Sequence, residues 1–129
     1  MEKIENKISF DIRGCAFKIH NALGPGLLES VYEAALSYEL IQLGYKVKNQ
    51  IGIPMLYENI RMDVGFRLDI LVNDLVIIEI KSVEKMTDLY FKQLLTYLKL
   101  SNRKLGLLIN FNSVLLEDKE SIFRIANNL

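Results

Sequence analysis

Apolar residues recur at spacings of three and four through Ile8, Ile12, Ala16, Ile19 and Leu23, which predicts a helix over residues 5–22. Gly24-Pro25-Gly26 ends it, because proline cannot continue a helix and glycine tolerates the turn. A second helix is expected from about Leu27 to Leu43, stopping at Gly44. The pattern then becomes strand-like over Tyr45–Gln50 and Ile53–Tyr57, with Pro54 marking an edge or a bend. Two further strands, Met62–Val72 and Leu75–Ser82, flank the turn signal Asn73-Asp74. Thr87 can cap a third helix over about Asp88–Leu100, with Asp88 favourable in its first turn. Lys104–Phe111 is an apolar strand, and together with Val76–Ile80 it reads as buried on both faces. Residues 113–129 fit either a short strand or a helix around Ile122–Ala126. The order helix, helix, three strands, helix, strand describes an α/β or α+β sandwich around one central sheet.

Composition narrows the chemistry. A chain of 129 residues, half hydrophobic and a quarter charged, is expected to form a single globular domain over residues 1–129. One cysteine (Cys15) and one histidine (His20) leave no intramolecular disulfide and no Cys/His zinc site. Any Ser-His-Asp or Cys-His relay would have to use His20. Sixteen basic residues balance sixteen acidic ones, so net charge neither announces nor excludes a nucleic-acid partner. No apolar run approaches the ~20 residues that span a membrane, and the start is charged from Glu2. A cytoplasmic protein is the expectation, with Cys15 a small buried thiol.

Four polar features stand where propensity alone would not put them. Glu29 shares a helical arc of about 80° with Tyr32, Leu36, Leu40 and Leu43, so a carboxylate heads an apolar stripe. The plainer account is that Glu29 answers the positive end of the helix dipole. Asp69 and Glu79 lie inside the most apolar strands, and Lys81 shares a strand face with Glu79. Such charges are costly to bury unless they neutralise each other, as a Lys81–Glu79 ion pair would, or bind a cation. A hard ion such as magnesium takes oxygen ligands and tolerates water, so two or three carboxylates suffice. Gln93 and Tyr97 stand one helical turn apart on the flank of the Phe91/Leu94/Leu95/Leu98 stripe. Lys92, Lys99 and Arg103 project from the opposite flank and read as a solvated face.

These residues carry a resemblance. Gly26-Leu-Leu-Glu29-Ser-Val-Tyr32 is similar to the signature of the GxxExxY family of small bacterial and archaeal proteins. Arg67-Leu68-Asp69, Glu79-Ile80-Lys81 and Gln93-Leu-Leu-Thr-Tyr97 resemble, in order and spacing, the motifs of the PD-(D/E)XK nuclease-like superfamily, RecB-type branch. Leu68 replaces the proline of the superfamily's name, and Asp88 and Tyr90 stand where family members often carry Pro and His. The resemblance implies a restriction-endonuclease-like αβββαβ core with a central mixed four-stranded sheet flanked by helices. It implies metal-dependent phosphodiester hydrolysis of nucleic acid, DNA ahead of RNA, with Mg²⁺ as cofactor and Mn²⁺ as substitute. Glu29, Asp69 and Glu79 would hold the metal, with Lys81 and Gln93 completing the catalytic set and Tyr32 and Tyr97 bracing it. The alternatives are an inactive nuclease-fold protein that binds nucleic acid or a protein partner, and an interaction protein whose polar cluster is only an ion-pair network. A homodimer is a further expectation, since so small a chain covers little duplex.

Geometry adds a requirement of its own. Were Asn73-Asp74 a two-residue hairpin loop, opposed residues would sum to 147, and Asp69 and Glu79 would lie on opposite faces. A shared site demands a loop of odd length or a β-bulge.

Overall fold

The structure is a computed structural model and describes residues 3–129. Two helices, α1 (Ile4–Leu23) and α2 (Glu29–Gln42), precede the strands β1 (Val47–Tyr57), β2 (Ile60–Val72) and β3 (Val76–Lys81). Helix α3 (Asp88–Leu100) then leads to β4 (Leu105–Asn110) and β5 (Ile122–Ala126). The strands form one mixed sheet in the order β1-β2-β3-β4-β5, antiparallel except for the parallel β3–β4 pair. Thr87 occupies the position before α3, but its hydroxyl makes no capping bond.

The expected four-stranded core is present as β1 to β4, and β5 extends the sheet by a fifth strand. The tail resolves as a strand because Ile122 joins the core on one face while Phe123 and Ile125 pack on the other. Only alternation of period two does that. The two strand-like segments around Pro54 are likewise one strand. Its ladder with β2 is offset between Pro54 and Met55 but continues beyond.

Two apolar layers sandwich the sheet. Helices α1 and α2 cover Ile70, Val72, Ile78, Ile80, Leu107 and Ile109, while α3 covers Leu71, Ile77 and Leu108 through Leu94 and Leu98. Both faces of β3 and β4 are therefore buried, as their continuous apolar runs require. Cys15 is buried and free. His20 is also buried, with Nε2 2.7 Å from the Ser113 carbonyl, so the sole histidine pins a loop. None of the described helices is long and apolar enough to cross a membrane.

Candidate active site

The pairing of β2 with β3 brings the acidic residues together. Val72↔Val76, Leu71↔Ile77 and Ile70↔Ile78 leave Asn73-Asp74-Leu75 as a three-residue loop, and continuing the register sets Asp69 across from Glu79. Asn73 and Asp74 take φ of 52° and 57°, the left-handed region that their side chains tolerate and a leucine does not. The residue before β1 holds this loop from outside, with the Lys46 N–H donating to Asn73 Oδ1 at 2.8 Å.

At Asp69 the strands part, and side chains replace the ladder. The Asp69 N–H donates to Glu79 Oε2 at 3.0 Å, and the Ile80 N–H donates to Asp69 Oδ2 at 2.8 Å. Strand β2 also changes face here. Phe66 and Leu68 pack toward α3, whereas Ile70 and Val72 pack toward α1 and α2. Gln50, between the residues of β1 paired with Ile70 and Leu68, takes a φ of 50°. The irregularity lies on the β1–β2 side, while Glu79 remains in its regular ladder with β4, and each carboxylate accepts a backbone N–H across the gap.

Glu79 is 8% exposed, and Asp69 is half-buried. Burial first, then the charge of Asp69, push the Glu79 carboxyl up to about 9. Lys81, the last residue of β3, shares the face of Glu79, and its Nζ lies 4.5 Å from the centre of the Tyr90 ring. Among the described residues Lys81 and Glu79 form no ion pair. The self-neutralised pair is therefore not what the fold builds. Tyr90, one of the departures from the family pattern, holds the ammonium by its π-face instead.

Helix α2 places Glu29 at the rim. Its residue is exposed overall, and Leu43 at the far end of the same arc is exposed too, so the inward stripe comprises Tyr32, Leu36 and Leu40. The Glu29 carboxyl still senses the site. Partial burial raises its pKa, Lys81 opposes that rise, and Asp69 adds to it. Gln93 and Tyr97 lie on helix α3, both half-buried, and of the two it is Tyr97 that feels the charge of the acidic pair. Tyr97 stacks on Phe66 at 4.4 Å, and burial followed by the charges of Glu79 and Asp69 raises its phenol pKa.

Tyr32 does not brace Glu29 directly. Fully buried and stacked on Phe111 at 4.5 Å, its hydroxyl donates to the Gly24 carbonyl (2.6 Å) and accepts the Leu27 N–H (3.2 Å). It thus shapes the loop that launches α2. Gly26 in that loop has a φ of 94°, which a side chain would strain. The first and last residues of the Gly26…Tyr32 motif therefore build the loop, and the middle one, Glu29, lies within electrostatic reach of Lys81 and Asp69. Tyr32→Phe should lower stability by about 1–3 kcal/mol, since two backbone groups lose their partner. Urea denaturation measures this, and an unchanged midpoint would mean that the backbone holds the loop without the hydroxyl.

Several residues of the site carried no separate signal in the sequence. Gln50 Nε2 donates to Glu33 Oε1 at 2.7 Å and lies 3.4 Å from Asp69 Oδ1, so it links α2 to the acidic pair. Asn110 grips Val83 through both its N–H and its carbonyl, which fixes the segment after Lys81. Ser82 Oγ donates to the Leu27 carbonyl at 2.7 Å and joins that segment to the α2 loop. Only Glu33, one helical turn beyond Glu29, could have been found by spacing. On α3, Lys92 and Lys99 are exposed as expected, while Arg103 is half-buried and donates to the Asp74 carbonyl at 3.0 Å.

Among the described residues, no three acidic, histidine or cysteine side chains stand close enough together to enclose an ion. The donor chemistry nevertheless fits a hard divalent cation. Two opposed carboxylates, one desolvated and without a cationic partner, are oxygen ligands of the kind that such an ion completes with water.

Neither a curated protein nor a solved structure matches this chain. The family profile described as the PD-(D/E)XK nuclease superfamily does match, over residues 6–125. That match takes in nearly all of the fold, from α1 to β5 and including the β2–β3 pair that carries Asp69, Glu79 and Lys81, and the chain belongs to the PD-(D/E)XK nuclease superfamily.

Proposed function

We propose that this protein is a metal-dependent nuclease that hydrolyses phosphodiester bonds, with DNA as its substrate. One observation carries the reading: Asp69 and Glu79 face each other with Glu79 buried, its carboxyl pushed up to about 9, and no ion pair to relieve it. A buried acid beside a second carboxylate, with its ionisation so displaced, is the kind of group that functional sites assemble. Asp69 and Glu79 would hold a Mg²⁺ or Mn²⁺ ion, with Glu29 contributing from the rim through water. A bound divalent ion supplies Lewis acidity toward a phosphoryl oxygen and toward water. Lys81, steadied by Tyr90, would orient the attacking water and donate to the phosphate as negative charge grows. Gln93 would orient the lysine or the phosphate, and Tyr97 would brace the α3 side. The Gly26…Tyr32 loop supports membership of the GxxExxY branch.

A second reading has its own observation. The backbone bonds from Asp69 to Glu79 and from Ile80 to Asp69 would serve equally in an inactive fold that binds without cutting. Calorimetry with Mn²⁺ and cleavage assays on single- and double-stranded DNA and RNA separate the two. Binding should be strong in the wild type, largely lost in Asp69→Ala and weakened in Glu29→Gln, with cleavage following the same order. Absence of Mn²⁺ affinity and of cleavage, with nucleic-acid binding retained, would favour the non-cutting reading.

A further inference from the structure

The hairpin of β1 and β2 runs well beyond the sheet, since β3 pairs with β2 only over Ile70–Val72. On this extension the two faces differ. One carries Ile51, Ile53 and Phe66 toward α3. The other carries Gly52, Pro54 and Gly65, and an open cleft of about 300 Å³ is lined by these three with Arg61, Asp63 and Arg67 and, at its edge, by Ile53 and Phe66. Helix α2 does not cover this face, and its described bonds to β1 end at Asn49 and Gln50.

The floor is bare because the strands meet closely. A Cβ on Gly65 would lie 2.1 Å from the Ile53 carbonyl oxygen, so no side chain fits there. Gly52 is different, since a Cβ added to it meets nothing within 4 Å. The walls are cationic. Arg61 and Arg67 are exposed and form no ion pair among the described residues. Arg67 spends one donor on the Gln50 carbonyl at 3.3 Å, which leaves most of its fork free. Asp63 is the one acid in the lining, so the cleft carries a net positive charge.

The cleft adjoins the acidic site. Arg67 is two residues from Asp69 along β2, roughly 7 Å at strand rise. Gln50 bridges the two, accepting from Arg67 through its carbonyl and reaching Asp69 through its amide. We propose that this cleft seats the sugar–phosphate backbone of the nucleic-acid strand entering the site, with Arg67 and Arg61 each contacting a phosphate. The inference rests on the nucleic-acid reading above and adds the path along which the strand lies. Guanidinium forks match phosphate oxygens, and the two glycines, Gly52 and Gly65, let a polyanion approach the ribbon closely there.

Binding of a fluorescein-labelled oligonucleotide, single-stranded or duplex, tests this in EDTA, where cleavage is blocked. Arg61→Ala should weaken affinity about tenfold and flatten the logarithmic salt dependence by about 0.7–0.9. Gly52→Glu should weaken binding similarly, Gly52→Lys should tighten it, and both should keep the wild-type melting temperature. Wild-type affinity and salt slope in Arg61→Ala and Gly52→Glu would overturn the proposal, as would absence of oligonucleotide binding by the wild type. Failure of the nuclease reading looks different. Binding would then depend on Arg61 and Gly52 as described, while Mg²⁺ or Mn²⁺ elicits no cleavage.

Discussion

Lys81→Ala is expected to reduce cleavage by at least about a hundredfold while leaving the fold and Mn²⁺ binding intact. The lysine closes β3 on the face of Glu79, and its contact in the structure is the Tyr90 ring rather than a carboxylate. Its removal therefore orphans no buried charge, and the backbone bonds that join Asp69 to Glu79 remain. Metal affinity should hold or rise, because a positive charge near the two carboxylates disappears. What is lost is a donor to phosphate at the moment charge develops there. Lys81→Arg should not restore activity, since a planar fork cannot replace a compact ammonium over the same ring. Single-turnover cleavage, circular dichroism and Mn²⁺ calorimetry on the same samples check each part. Cleavage within threefold of wild type would remove the lysine from the chemistry.

Glu79→Gln should stabilise the metal-free protein at alkaline pH and abolish most of its stability–pH dependence. In the unfolded chain this carboxyl ionises near the ordinary 4.5, but in the folded protein it keeps its proton up to about 9. Between those values folding takes up a proton, so stability falls as pH rises from about 5 to 9 and levels off above. The wild type should lose a few kcal/mol across that window, an order-of-magnitude figure for a buried carboxyl. Glutamine copies the protonated acid and can still accept the Asp69 N–H, so the variant should match the wild type near pH 5 and exceed it near pH 9. A divalent ion competes with that proton, and adding Mn²⁺ to the wild type should recover stability at high pH. Urea titrations in EDTA at several pH values measure the effect. Parallel curves for the two proteins would mean that Glu79 ionises normally in the fold.

The site was legible to unequal depth. Asp69, Glu79 and Lys81 stood out because charge inside an apolar strand has no cheap explanation. Glu29 is visible because it heads an apolar helical stripe, yet it is exposed, because a helical wheel assigns direction but not where the helix meets its neighbours. Tyr32 sits on the wheel beside Glu29, but its partners Gly24 and Leu27 belong to the preceding loop. Gln50 and Asn110 escaped notice because a lone amide in a strand or strand end is unremarkable until the chain folds around it.

Periodicity and punctuation alone placed the three helices and the strands of the β2–β3–β4 core, because buried faces impose spacings of 3.6 and 2 on the sequence. Parity arithmetic went further. It showed from the chain that Asp69 and Glu79 share a site only with a loop of odd length or a bulge, and the three-residue loop at Asn73 meets that condition. Other features had no local cause. The fifth strand is too short to declare its type without β4 beside it. The parting of β2 from β3 at Asp69, the neutral state of Glu79 and the lodging of Lys81 over Tyr90 each depend on groups remote in sequence. Burial and field are sums over whatever the fold brings near, and a linear pattern does not contain those sums until the helices and strands have packed.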